Sequence, residues 1–300
     1  MRSRYPRTFT IVFVLAFLAL QAVSAKPAWA VPGDTVADVI TPEGDTFWPL
    51  GISPSVAFDG KYLYYAEYMG HVLHRIDTPP AGGTYNASNH IDIPIVGLPS
   101  GLMAIAYDAG RDAFWATGGD GLSVYLLSKA GNAILEFTID PVNGRPGFTC
   151  NPGNTCQESK LAYDRADDTI WIGPDATTRI FHYQTYPDPL GYGVLANNAF
   201  IDVNIPPNDM TVECGGYSIV SAIAVGGDHL FIGAGGCASY FEYTKAGVKV
   251  GSTKMAAISV GDFECDNNTY PVSVIWVKNS FWGEIRAYEQ PAANACVTGG

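Results

Sequence analysis

The chain has 300 residues, 47% of them hydrophobic and 15% charged, with a formal net charge of −12 at pH 7. That length and apolar content suffice for a sizeable buried core. The acidic balance argues against nucleic acid as a partner, since such binding depends on Lys and Arg neutralising phosphates.

Residues 1–30 read as a leader. Arg2, Arg4 and Arg7 form a basic start, Thr10 to Val23 is apolar, and Ala28-Trp29-Ala30 offers small residues for cleavage, with Ala25 as an earlier alternative. This is the pattern of a secretory signal peptide. The apolar run is shorter than a bilayer span of about 18 to 20 residues, and no later segment is long and apolar enough to cross a membrane. The expectation is an exported protein, secreted or periplasmic, whose mature part is residues 31–300. Loss of Arg2, Arg4, Arg7 and Lys26 leaves 13 basic residues against 29 acidic, a formal charge of −16. Such a surface suits hard cations, cationic ligands or plain solubility.

Thr35 to Thr41 is a spare strand ahead of a repeating unit. Each unit carries an aromatic followed twelve positions later by another large apolar residue: Tyr64 and Ile76, Trp115 and Leu127, Trp171 and Tyr183, Phe231 and Tyr243, Trp276 and Tyr288. Phe58, Tyr107, Tyr163, Val225 and Tyr270 precede these pairs by six or eight residues, at intervals of 45 to 62. Three carry one local text, Ala57-Phe58-Asp59, Ala106-Tyr107-Asp108 and Ala162-Tyr163-Asp164. Self-similarity of this kind signals a repeat architecture.

Within a unit, strand A is an apolar run such as Ile219 to Val225, and a turn rich in Asp and Gly follows it. Strand B holds the aromatic, as in Phe114-Trp115-Ala116. Strand C is Val72 to Ile76, Ser123 to Leu127, Arg179 to Tyr183, Ser239 to Tyr243 and Glu284 to Tyr288. Strand D is looser: His90 to Ile95, Ile134 to Ile139, Phe200 to Val203 and Val248 to Val250. Aromatic and β-branched residues crowd these segments, as strands require. The fifth unit stops after strand C, so Thr35 to Thr41 is expected to complete it and leave no open edge. The fold expected is all-β, a β-propeller of five four-stranded blades with six as the alternative. The interval from Tyr163 to Val225 is too short for two units, and the constant strand-B-to-C spacing argues against a sandwich or a β-helix.

An even number of cysteines in an exported chain reads as disulfides. Cys150 and Cys156 enclose the turn-forming Asn-Pro-Gly-Asn-Thr. Cys214, Cys237, Cys265 and Cys296 allow three pairings, of which the repeat alignment favours Cys214 with Cys237, leaving Cys265 with Cys296 by elimination. No Cys-x-x-Cys occurs, which argues against a zinc site on thiolates.

The first unit, Leu63-Tyr64-Tyr65-Ala66-Glu67-Tyr68-Met69-Gly70-His71-Val72-Leu73-His74-Arg75-Ile76-Asp77, resembles the blades of NHL, YVTN and streptogramin-lyase-like propellers. Proteins of that kind include metal-dependent lyases and lactonases as well as non-catalytic binding propellers. The motif identifies the blade and not the reaction.

In such a ring the start of strand A and the B-to-C turn share the face around the channel mouth, with the A-to-B turns opposite. Asp59, Asp108, Asp164, Asp167, Asp168 and Asp228 then serve their turns. Glu67, Asp120 and Asp175 follow the strand-B aromatic, and Glu158, Glu213, Glu264 and Asp266 are expected before strand A. Glu67, Asp120, Asp175, Glu264 and Asp266, with Asn267 nearby, would suit Ca²⁺ or Mg²⁺, which could polarise a lactone carbonyl or activate a bound water. Glu213-Cys214 and Glu264-Cys265 occupy matching places in successive units. His71, beside Glu67, is the candidate general base; His71 and His74, three apart on a strand, cannot chelate together. Tyr68, Phe281, Trp282, Phe47 and Trp48 could stack on a sugar or ring ligand.

There is no Gly-x-Ser-x-Gly nucleophile elbow, and the Gly-rich Gly233 to Ala238 joins two strands, the wrong setting for a dinucleotide. Two functions follow. The first is a monomeric module binding a small molecule or a protein at the channel face. The second is a divalent-metal-dependent lactonase or lyase at the same mouth.

Overall fold

The computed structural model describes residues 31–42, 55–148, 159–174, 177–210, 212–216, 219–256, 258–291 and 296. The expected leader, Asp175, Glu158, Phe47, Trp48 and the Cys150–Cys156 pair fall outside these residues. Five antiparallel sheets stand in a ring, a five-bladed β-propeller. Blade 1 comprises β2 (Ser55–Phe58), β3 (Tyr62–Ala66), β4 (Val72–Asp77) and β6 (Ile91–Pro94). Blade 2 comprises β7 (Leu102–Asp108), β8 (Ala113–Gly118), β9 (Ser123–Ser128) and β10 (Ala133–Thr138). Blade 3 comprises β11 (Lys160–Asp164), β12 (Thr169–Gly173), β13 (Arg179–Pro187) and β14 (Gly193–Asp202). Blade 4 comprises β15 (Val220–Gly226), β16 (His229–Ala234), β17 (Ser239–Thr244) and β18 (Lys249–Lys254). Blade 5 comprises β19 (Val260–Asp266), β20 (Val274–Asn279) and β21 (Glu284–Glu289), completed by β1 (Thr35–Ile40).

The closing strand is the expected one. β1 pairs antiparallel with β21, from Thr35 opposite Tyr288 to Ile40 opposite Glu284. Its far edge is covered as well, by the short parallel strand β5 (Thr84–Asn86) from the loop after β4.

The twelve-residue spacing has a packing cause. All five B–C hairpins share one register, with the aromatic opposite the residue eleven positions on: Tyr64 with Arg75, Trp115 with Leu126, Trp171 with His182, Phe231 with Glu242, Trp276 with Ala287. The residue twelve on therefore points to the other face of its sheet. Trp115 packs onward into a cluster with Ile170 and Tyr183 of blade 3, and Trp171 onward with Leu230 and Tyr243 of blade 4. Tyr64 meets Phe114 and Leu127, and Phe231 meets Ile275 and Tyr288, in the same way. Blades 1 to 4 thus each send one ring forward, and the following blade receives it through its own position twelve. Trp115, Trp171 and Trp276 are fully buried; an aromatic of this size buries some 150–250 Å².

The turn aspartates recur with one geometry. Oδ1 of Asp59 accepts from the N–H groups of Lys61 and Tyr62, that of Asp108 from Gly110 and Arg111, and that of Asp266 from Asn268 and Thr269. Oδ2 grips the strand-B aromatic: Tyr64 Oη donates to Asp59 at 3.1 Å, Trp115 Nε1 to Asp108 at 3.2 Å and Trp276 Nε1 to Asp266 at 3.0 Å. Asp164 instead pairs with Lys245 of blade 4, and Trp171 stacks on His182 with centroids 3.9 Å apart. Lys129 of blade 2 reaches Asp59 of blade 1, and Arg111 of blade 2 reaches Asp168 of blade 3, so three seams are also tied by charge.

This geometry corrects the fifth unit. Asp266, and not Tyr270, ends its strand A; Tyr270 lies in a turn lengthened to Asn267–Ser273, its hydroxyl donating to Pro79 O at 2.7 Å. Asp266 therefore sits at the A-to-B end of the blade rather than at the mouth. Glu264 lies inside β19, whereas Glu213 stands outside β15 and pairs with Lys249, so the two Glu-Cys pairs are not equivalent places. The long third unit is explained by β13 and β14, which run on from the pairing of Arg179 with Asp202 out to Pro187 with Gly193.

Cys214–Cys237 and Cys265–Cys296 are disulfides, with Cα–Cα distances of 5.2 and 5.3 Å, the first as the repeat alignment favours and the second as elimination leaves. Both suit an oxidising compartment. Among the described residues no helix is long and apolar enough to cross a membrane.

Asp266→Ala would strand the buried Trp276 N–H and two turn N–H groups, at about 1–3 kcal/mol for a buried donor left unpaired. A loss of about 2 to 4 kcal/mol in denaturant unfolding is expected, whereas Asp228→Ala, on an exposed turn, should stay within about 0.5 kcal/mol.

Candidate functional site

The mouth of the ring is built where B-to-C turns meet the starts of neighbouring A strands. Met69 N donates to Leu102 O and Gly119 N to Gly101 O, so the β3–β4 and β8–β9 turns abut the entry to β7. Glu67 is half-buried there, Tyr68 is exposed, and His71 is exposed at the end of the same turn. Asp120 is exposed and serves its own turn: Oδ1 accepts from Leu122 N at 3.0 Å and Ser123 N at 2.9 Å, and Oδ2 from Ser123 Oγ at 2.6 Å. Asn267 is exposed beside Asp266 in the β19–β20 turn, at the far end of the blade. Among the described residues Glu67, Asp120, Glu264 and Asp266 do not form a group close enough to share one ion.

Glu264 belongs instead to the axis. Aligning the A strands on their turn aspartates places Ala57, Ala106 and Ala162 two residues ahead, with Ala224 at the matching place in blade 4 and Glu264 in blade 5. Two residues further back stand Ser55, Ala104, Lys160, Ala222 and Asp262. Residues i and i+2 of a strand share a face, so blade 5 alone presents two carboxylates where the other blades present alanines, a serine and a lysine. Asp262 was not among the sequence candidates. It would have been visible had β19 been phased on Asp266.

These carboxylates satisfy inner-edge backbone donors that a propeller leaves without a sheet partner. Asp262 Oδ2 accepts from Val56 N at 3.0 Å and from Ser55 Oγ at 2.7 Å, and Ser55 Oγ in turn accepts from Ile105 N at 2.7 Å. One chain of hydrogen bonds therefore joins blades 5, 1 and 2. Glu264 accepts from Cys265 N at 2.9 Å. Burial pushes Asp262 up to about 7, against the pull of the Lys160 charge. Burial pushes Glu264 up to about 8, helped by the charge of Asp262 and opposed by the backbone N–H groups of Cys265, Phe58 and Tyr107. The half-buried part of Glu264 faces a cavity of about 10 Å³ that Ala106, Ala162 and Ala224 also line. That is room for about one water, so this stretch of the axis does not admit a ligand.

A larger space opens between blades 4 and 5 on the mouth side, a cleft of about 620 Å³. Its walls include Gly236 and Ala238 of the β16–β17 turn and Trp282 of the β20–β21 turn, with Asn279, Glu284 and Arg286 as its polar groups. Trp282 is 39% exposed, whereas Asn279 and Glu284 are buried. Asn279 Nδ2 donates to Glu284 Oε2 at 2.8 Å. Arg286 is held between Glu284 and Asp38, its Nε 3.3 Å from Asp38 Oδ2. Burial first, then the neighbouring charge of Glu284, raises the Asp38 carboxyl above its ordinary range, while Arg286 acts against the rise. The Cys214–Cys237 bridge fixes the β16–β17 wall, since Cys237 lies between Gly236 and Ala238.

No protein-family model matches the chain, and no curated protein matches it. Solved structures do. Glutaminyl cyclase of Myxococcus xanthus aligns at 10% identity over 84% of this chain and 97% of that one, with a TM-score of 0.51. A protein of unknown function from Bacteroides thetaiotaomicron aligns at 11% identity over 85% and 74%, with a TM-score of 0.49. A streptogramin B lyase aligns at 10% identity over 75% and 61%, with a TM-score of 0.40. The resemblance read from the first blade thus holds at the level of the propeller fold.

The axial carboxylates give a pH signature. Their folded values near 7 and 8 lie above the ordinary 3.8 and 4.5, so the folded chain holds more protons and stability falls as pH rises from about 4 to 8. Asp262→Asn with Glu264→Gln keeps acceptor oxygens but removes the titration. Melting temperatures across pH 4.5 to 8.5 should then decline less steeply than in the parent chain; equal slopes would refute this assignment.

Proposed function

We propose that the protein is an exported binding module that takes a small, neutral, hydroxyl-rich ring ligand, of the sugar class, in the cleft beside Trp282. The observation that carries this reading is an exposed indole set next to a buried polar floor in a cleft of ligand size. Small-molecule sites combine apolar and aromatic walls with a few fixed polar groups. An indole offers a flat apolar face for the ring, and Asn279, Glu284 and Arg286 offer both donors and acceptors for hydroxyls.

Charge favours a neutral guest. Arg286 is already engaged by Asp38 and Glu284, so it presents no unopposed positive charge to an anion. The mature surface, with far more acidic than basic residues, repels anions further. Rigidity helps as well, because a wall pinned by Cys214–Cys237 loses little freedom when the ligand arrives. What weighs for binding over a metal-dependent lactonase or lyase is the separation of the expected ligands. Asp120 is spent on its own turn, Glu264 lines the blocked axis, and Asp266 closes a turn at the other end of its blade. The single imidazole at that mouth, His71, then has no assembled ion to work beside.

The test is ligand-observed NMR with a panel of neutral mono- and disaccharides beside uronates and sugar phosphates. Neutral members should bind and the anionic ones should not. Trp282→Ala should weaken the best binder by about three- to tenfold, the scale of a lost stacking contact, while leaving the melting temperature nearly unchanged. Absence of any neutral binder, or affinity indifferent to Trp282→Ala, would overturn the reading.

A further inference from the structure

We infer that His74, His90 and Asp92, on the outer strands of blade 1, form a binding site for one divalent first-row transition ion such as Zn²⁺. The site lies apart from the cleft between blades 4 and 5, and it does not depend on that cleft's ligand.

Strand register builds the group. In the β4–β6 pairing His74 stands directly opposite Asp92, so both side chains leave the same face of the sheet. His90 precedes Asp92 by two residues and joins them on that face. His74 Nδ1 lies 2.8 Å from Asp92 Oδ1 and 3.2 Å from His90 Nε2, and His90 Nε2 lies 3.1 Å from the same oxygen. Each residue thus contributes one donor atom to a nearly equilateral triangle. Among the described residues these three are the one His/Cys/Asp/Glu group whose donor atoms all lie within 4.8 Å of one another.

Hydrogen bonding alone does not satisfy that triangle. If both ring nitrogens carry protons, each can donate to the Asp92 carboxylate, but two donors then face each other at 3.2 Å. If only one carries a proton, the bare nitrogen sets its lone pair against a carboxylate oxygen at 2.8 or 3.1 Å. A cation shared by two imidazole lone pairs and one carboxylate oxygen removes both conflicts. The dimensions fit: a triangle with these sides leaves a point about 2.1 Å from every corner, within the Zn–N and Zn–O bond range.

The surroundings order the ligands. Tyr65 stacks on His74 at a centroid distance of 4.8 Å and 18°, holding the imidazole against the blade. Exposure rises from 7% for the His74 side chain to 25% for His90 and 61% for Asp92. The open coordination positions would therefore face solvent, where waters or an incoming group can complete them. Two imidazoles and one carboxylate suit Zn²⁺, Cu²⁺ or Ni²⁺, whereas Ca²⁺ and Mg²⁺ want oxygen ligands throughout. An ion here would pin β6, the short and largely exposed outermost strand of blade 1, to β4.

The test is isothermal titration of the chelator-treated protein with Zn²⁺, and separately with Ca²⁺, alongside melting curves. The expected result is one Zn²⁺ bound per chain with a raised melting temperature, as binding to the native state requires, and no response to Ca²⁺. His90→Ala and Asp92→Asn, both at positions more exposed than His74, should each weaken Zn²⁺ binding at least tenfold without lowering the melting temperature of the metal-free chain by more than a few degrees. No Zn²⁺ binding, or parent-like binding in both variants, would overturn the assignment; the latter would place the ion on other groups, such as the exposed His71.

Discussion

A ring of sheets must join its last blade to its first, and here that junction is made twice. At the rim, β1 lies between β21 and β5, so the closing sheet shows no bare edge at β1 for another chain to pair with. At the axis, Asp262 of the last blade accepts from Val56 N and Ser55 Oγ of the first, and Ser55 passes the link on to Ile105 of the second. At the matching inner-strand positions blades 2 to 4 carry Ala104, Ala106, Ala162, Ala222 and Ala224, with the buried Lys160 in blade 3. Closure therefore places titratable carboxyl groups in the centre of the molecule, where burial favours their protonated forms. The same event that stabilises the ring makes that centre sensitive to protons.

Between those junctions the blades follow one rule, and that rule was legible in the chain. A constant register in the B–C hairpin converts a spacing of twelve into two opposite-facing side chains, one for each neighbouring blade. This is why Trp171 and Tyr183 differ in partner although they belong to one hairpin. The rule fails to show where a strand begins when the preceding turn changes length. Counting back from Trp276 led to Tyr270, because the fifth A-to-B turn runs to seven residues, Asn267–Ser273, where the second has four, Ala109–Asp112. The physical marker of the strand end is the aspartate whose carboxylate holds both its turn and the strand-B indole. That bond tolerates a separation of seven residues in Asp108 and Trp115 and ten in Asp266 and Trp276.

The candidate sites were less legible, for reasons of geometry. Glu264 and Asp266 read as neighbours of one mouth, yet Glu264 lies within β19 at the axis whereas Asp266 ends that strand and holds the turn after it. Asp262 escaped notice because nothing in the local text distinguishes a carboxylate on an inner strand from one on a loop; only alignment with Ala104 and Ala222 does so. His74, His90 and Asp92 were hidden differently. Read along one strand, His71 and His74 oppose each other, whereas the grouping that matters runs across two strands and depends on the pairing of His74 with Asp92. Single-strand periodicity carries no information about that register, which the connecting loop and the packing of both faces decide.

Departures from the repeat then locate chemistry more surely than the repeat itself. Core positions that recur in all five blades are occupied by residues that pack, and their identity is set by neighbours on both sides. Blade 5 breaks the pattern at the axis with Asp262 and Glu264, and Asn279 at the end of β20 with Phe281 and Trp282 of the B–C turn stands beside Glu284 and Arg286. Blade 1 breaks it at the rim with two histidines and an aspartate on one face, graded from the buried His74 to the exposed Asp92. Sequences that otherwise agree at every level tend to violate their own rules at functional places. The closing blade and the one it closes upon hold the violations here. A single strand brought in from the other end of the chain to finish a sheet is free of the hairpin constraint that shapes the other blades. The proposed binding cleft lies at the border of blades 4 and 5 and the proposed ion site on β4 and β6 of blade 1, so both fall in or beside the two blades that the closing strand joins.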